Sequence, residues 1–95
     1  MTREETAWCD RVQQLGCIAC YVENVGDTPC EIHHLKTGGR RIDHLHSIGL
    51  CYPHHRSHRN DSAVTSVHPW TRAFEARYGK QAELWELTKK LLEAA

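Results

Sequence analysis

No apolar run in this 95-residue chain comes near the length of about 20 residues that a membrane-spanning helix requires, so the expectation is a soluble protein with no membrane partner. No charged-then-apolar signal segment opens it, and its earliest apolar residues, Ala7, Trp8 and Val12, are spaced as on a helix. Five cysteines cannot all pair, and eight histidines are mixed among them, which favours metal binding in a reducing cytosol over a disulfide framework. Formal net charge is zero, so composition alone does not announce a polyanionic partner. There is no internal repeat and no low-complexity tract, and the length fits one domain spanning residues 1–95. A chain this short buries only about two thirds of the surface its unfolded form exposes, so a metal staple would contribute visibly to its stability.

What the chain does hold is a series of metal-ligating residues: Cys17-x-x-Cys20, then Cys30-Glu31-Ile32-His33-His34, then Cys51-Tyr52-Pro53-His54-His55. A tetrahedral zinc site needs two ligand pairs brought together, and Cys17, Cys20, Cys51 and His54 supply them, with Cys30 left open as a competing ligand. Lone cysteines such as Cys9 and Cys30 are otherwise small buried apolar residues. The remaining histidines are then free for a second, open site. An open metal position beside a neutral imidazole is what phosphodiester hydrolysis needs, a cation for the developing charge and a base for the attacking water. Lys36, Arg40 and Arg41 surround Gly38-Gly39 just after the first histidine pair, and Arg56 and Arg59 follow the second, while acidic residues gather near the ends. Folding would concentrate positive charge where phosphates would sit, or leave a solvated basic loop.

The apolar spacing predicts a helix over 2–15, with Glu4 and Glu5 at its start and Gly16 at its end. A tight turn over 17–20 follows, with Tyr21-Val22 leaving as a strand, Gly26 to Pro29 as a turn and Cys30 to Leu35 as the returning strand. Neighbours in a strand alternate sides, so His33 and His34 are expected to face different ways and do different jobs. Lys36 to Asp43 reads as a mobile loop, and Pro53 as the first turn of a helix running to about Arg59, with His54 and His58 on one face and His55 turned from it. Asn60 to Ser66 reads as a polar connection. A helix holding Phe74 and Tyr78 ends at Gly79, and a last helix from Gln81 to about Ala94 carries Leu84, Trp85, Leu87, Leu91 and Leu92 on an apolar stripe. The aromatics read most simply as core, with base stacking by Trp70 or Trp85 the less common outcome.

The pattern Cys17-x-x-Cys20, Glu31-Ile32-His33-His34, Ser47-Ile48-Gly49-Leu50-Cys51-x-x-His54-His55 resembles the HNH, or ββα-metal, endonucleases. More narrowly, His68-Pro69-Trp70, Phe74-Glu75-Ala76-Arg77-Tyr78-Gly79 and the leucine-rich end resemble the phage recombination-enhancement (Ref) family of RecA-dependent nucleases, over roughly 15–92. The resemblance implies an α+β fold: a small zinc-stabilised ββα-metal core with flanking N- and C-terminal helices. It implies a metal-dependent DNA endonuclease acting in phage or prophage recombination or repair, in the cytoplasm of a bacterial host cell. By the same resemblance His33 binds the catalytic metal, His34 is the general base and His55 is the helix-borne metal ligand. The family's middle Asn falls at His46, and His44 matches a histidine of the narrower family that would replace it. His68 is expected too, as a third metal ligand or a structural group. The implied cofactors are structural Zn2+ and a catalytic Mg2+, Mn2+ or Zn2+. The implied partners are DNA, held through Lys36, Arg40 and Arg41, and a RecA-type filament for members carrying a basic amino-terminal extension, residues 1–95 corresponding to the globular part. The competing class is a noncatalytic zinc-binding module that binds nucleic acid or a protein partner.

Overall fold

Thr2 starts the first helix, α1 (Arg3–Leu15), with a reciprocal cap: its hydroxyl accepts from the Glu5 amide while the Glu5 carboxylate accepts from the Thr2 amide. The structure, a computed structural model, describes residues 1–94, so the end of the expected 1–95 domain lies one residue outside the described residues. Gly16 ends α1, and α2 (Ile18–Val22) follows at once with the Cys17 sulfur at its start accepting from the Cys20 amide. Tyr21-Val22 is therefore helical rather than the expected strand. Ile18, Ala19 and Cys20 are all buried, which packs this short helix into the interior on more than one face.

With that strand gone, β1 (Glu31–His34) has another partner. It pairs antiparallel with β4 (Ser47–Leu50), in the register His33 opposite Ile48 and His34 opposite Ser47. Gly49 makes this pairing feasible: a Cβ there would lie 2.6 Å from both the Cys30 sulfur and the Gly16 carbonyl oxygen. Between these strands, the expected mobile loop is a short ribbon, β2 (Lys36–Thr37) with β3 (Arg40–Arg41). Gly38 and Gly39 both take positive φ, the tight turn that a two-residue hairpin requires.

α3 (Tyr52–His55) follows β4 directly, with Pro53 in its first turn as expected, but it stops four residues short of the expected Arg59. The Ser57 hydroxyl donates to the Pro53 carbonyl at 2.7 Å and His58 turns to positive φ, so no helical amide continues the ladder. His58 consequently does not share a helix face with His54. The polar connection 60–66 is partly inside the fold, since Val64, Thr65 and Ser66 are buried. α4 (Thr71–Tyr78) ends at Gly79, and α5 (Gln81–Ala94) follows.

The result is the expected α+β architecture of short strands flanked by helices. Its core joins Ile18, Leu35, Ile48, Leu50, Val67, Phe74, Tyr78 and Leu84, each large apolar side chain contributing about 1.5–3 kcal/mol by leaving water. On α5, Leu84 and Leu92 are buried, while Trp85, Leu87 and Leu91 are half-buried against the core. Trp70 is not core: it is 44% exposed, its indole N–H donating to the His58 carbonyl.

Candidate metal centres and the cleft between them

Two clusters of metal-ligating atoms form around α3, which gives His54 to one and His55 to the other. The first joins Cys17, Cys20, Cys51 and His54, all buried, with their ligating atoms within 4.8 Å of one another. A zinc ion sits about 2.3 Å from sulfur, which separates tetrahedral sulfurs by about 3.8 Å. Cys20 and Cys51 sulfurs are 3.8 Å apart, and the Nδ1 of His54 lies 3.6 Å from Cys17, 3.6 Å from Cys20 and 3.0 Å from Cys51. The hydrogen bond with Cys51, then burial, pushes the Cys17 thiol up to about 12, whereas the Cys17 contact pulls Cys51 down. Three sulfurs crowded in an apolar interior cannot all ionise unaided, and a divalent cation removes that conflict. The donor set and spacing fit zinc. Glu23 accepts from the other nitrogen of His54 at 3.3 Å, the outer hydrogen bond that orients a ligating imidazole. Cys30 is not part of this cluster. Its sulfur faces the Val12 carbonyl at 3.7 Å, and burial pushes its thiol up to about 11.

The second cluster joins His33 of β1, His55 of α3 and His68, again with ligating atoms within 4.8 Å. It differs in burial: His33 is buried, His55 half-buried and His68 exposed. Three imidazoles and one solvent-facing side are the donor set of a site that keeps a coordination position open. His68 is pinned there by its own backbone, because the amides of Val67 and His68 donate to the carbonyls of His54 and His55 at 2.8 and 3.1 Å. Two of the rings have an outer partner. Glu31 accepts from His55 Nδ1 at 2.8 Å, and Gln81 Oε1 lies 2.7 Å from His33 Nε2. Burial holds His33 down at about 4, so its ring is neutral and its lone pair available to a cation at neutral pH. The hydrogen bond from Arg56, then that from His55, holds the Glu31 carboxyl down at about 2.

His34 faces away from this triad, as strand alternation requires. Its Nε2 lies 2.8 Å from His44 Nδ1, which leaves the Nδ1 of His34 as the nitrogen not engaged by His44. Burial first, and the charge of Arg41 next, shifts His34 below its ordinary value, so the neutral form dominates. His44 is itself fixed by Glu5, which accepts from its amide at 3.2 Å. The two histidines expected in the catalytic roles are thus hydrogen-bonded to one another.

A cleft of about 740 Å³ opens beside the triad, lined by His33, His34, Lys36, His46, His68 and Trp85 among others. Of the expected DNA-contacting residues, Lys36 lines the cleft, while Arg40 and Arg41 stand exposed on the ribbon at its edge. Arg56 and Arg59 do not add to that charge, being paired with Glu31 and Asp61. Lys80 and Gln81 also line the cleft and carried no site signal in the sequence, and Trp85, read most simply as core, joins them. Only the fold brings the start of α5 across from β1. Glu31 stood inside the recognised motif, yet its bond to His55 requires knowing that α3 packs beside β1.

A model of the family described as recombination enhancement, RecA-dependent nuclease, matches residues 1–93. No curated protein matches the chain.

Proposed function

The chain belongs to the recombination-enhancement, RecA-dependent nuclease family, and from that premise we propose that it is an HNH-type, metal-dependent endonuclease that hydrolyses DNA phosphodiester bonds. The observation that carries this reading is one cleft lined by His33 and His68 of the three-histidine cluster and by His34 of the hydrogen-bonded histidine pair. His33 and His55, with His68 as third ligand, hold a Mg2+, Mn2+ or Zn2+ ion. Once bound, that ion supplies positive charge for the scissile phosphate and the leaving oxygen.

The other steps belong to the chain's own side chains. His34 takes a proton from the attacking water at Nδ1, and its neutral ring is suited to that. His44 orients His34 and occupies the role that an Asn plays in the HNH pattern. Lys36, Arg40 and Arg41 hold flanking phosphates, which positions the strand without reading its bases. Cys17, Cys20, Cys51 and His54 hold structural zinc, tying α2 to the strand pair and α3 in a chain acting as one domain. The setting is phage or prophage recombination or repair in the cytoplasm of a bacterial host, on DNA presented by a RecA-type filament.

The direct test is a nicking assay on plasmid and single-stranded DNA, with Mg2+ or Mn2+ added back, with and without a RecA filament. Metal-dependent cutting is expected, with His34→Ala reduced on the order of 10²–10⁴-fold while zinc content is unchanged. A folded, zinc-loaded chain that binds DNA but cuts under none of these conditions would instead be a noncatalytic zinc module.

A further inference from the structure

With His44 bonded to His34, the histidine at the position of the family's middle Asn, His46, is left without an orienting duty, yet it is the most deliberately held ring in the cleft. Its Nδ1 lies 2.8 Å from Asp43 Oδ1, and the same carboxylate oxygen accepts from its backbone amide at 2.9 Å. Its ring lies stacked on Trp85 at 4.5 Å between centroids and 23° between planes. Trp85 is locked in turn by donating its indole N–H to the Leu45 carbonyl at 2.9 Å. The carbonyl of His46 accepts from the Leu35 amide, one residue beyond His34, which ties His46 to the strand bearing the catalytic histidines. The side chain is 32% exposed and lines the same cleft as His33, His34 and His68.

A carboxylate on Nδ1 fixes the tautomer and orientation of an imidazole, leaving Nε2 to exchange a proton with a ligand. Trp85 stacks on the ring and holds its plane. The second titratable dyad of the cleft therefore differs from the first. His34 is bonded to another histidine, whereas His46 is bonded to a carboxylate. Two such groups at one cleft are the requirement for acid and base acting together.

We infer that His46 is a second catalytic residue, the general acid that protonates the departing sugar oxygen, with Asp43 and Trp85 as its positioning residues. This rests on the nuclease reading above and extends it to the leaving group. In the step, water oxygen bonds to phosphorus as its proton passes to Nδ1 of His34. The bond from phosphorus to the sugar oxygen breaks, and that oxygen keeps the electron pair and takes the proton from Nε2 of His46. His46 ends neutral and His34 protonated, and exchange with solvent restores both.

The test compares an ordinary oligonucleotide with one in which the bridging oxygen of the cleaved bond is sulfur, a leaving group that departs without a proton. The variant is His46→Gln, which keeps a planar polar group over Trp85, with Asp43→Asn beside it and zinc content as the check on folding. On the oxygen substrate, His46→Gln should lose on the order of 10²–10⁴-fold in kcat. Asp43→Asn should lose less, and on the sulfur substrate both losses should vanish. Equal losses on the two substrates would assign His46 a structural or substrate-holding role and overturn the inference, as would an unchanged rate on both. A wild-type chain that cuts neither substrate fails the nuclease reading itself, whereas cutting by wild type with His46→Gln unaffected fails only this assignment.

Discussion

The two metal clusters use neighbouring residues of the same helix to opposite ends. His54 and His55 are adjacent in α3, yet one turns inward to three sulfurs in a buried pocket and the other outward to two imidazoles with a solvent-facing side. The difference lies in closure and donor type. Four buried soft and borderline donors complete a tetrahedron and leave no room for substrate, whereas three imidazoles leave a position open. On the proposed reading, one short helix couples a folding element to a reactive one, and damage to the two clusters should separate cleanly.

The largest effect should come from the closed cluster. Structural zinc contributes on the order of 10 kcal/mol to the folding of small zinc domains. Cys51→Ser should lose zinc and with it cooperative thermal unfolding, as circular dichroism would register. A Cys51→Ser chain melting like wild type would show that the cluster is not what holds the fold.

The open cluster should respond in affinity rather than in folding. Glu31→Gln weakens the outer hydrogen bond on His55, and removal of such partners typically costs about 10–100-fold in metal affinity. Titration with Mn2+ should show that loss at the second site only, with the structural zinc retained. Equal loss at both sites would mean that the clusters are not independent.

Much of this division was legible beforehand, for physical reasons. Cys-x-x-Cys and Cys51-x-x-His54 are local spacings, and a ligand pair that close in sequence stays close in any fold that uses it. Strand alternation at His33-His34 likewise follows from backbone geometry alone, and the structure separates their partners accordingly. What was not legible depended on distant pairing. The partner of β1 is β4 rather than 21–22, because the segment after Cys17 is helical, capped by the Cys17 sulfur, and Gly49 permits close approach at β4. Similarly, α3 is cut short by a serine side chain bonding back to Pro53, a competition that a count of apolar spacing does not register. Gln81 and Trp85 reach the cleft only through the packing of α5.

The smallest effect belongs to the cleft's cationic edge. Lys36→Ala should weaken DNA binding about equally across sequences and lower the slope of log affinity against log salt by about 1, with both metal sites unchanged. A change in sequence preference with an unaltered salt slope would place Lys36 against a base rather than a phosphate.

The contrast between the clusters is tested most directly by counting ions per chain with native mass spectrometry, for wild type and for a His55→Ala, His68→Ala double variant. Two ions on the wild-type chain, and one zinc on the double variant, are expected. A single ion on the metal-saturated wild type, or loss of both together in the variant, would contradict the separation of a closed centre from an open one.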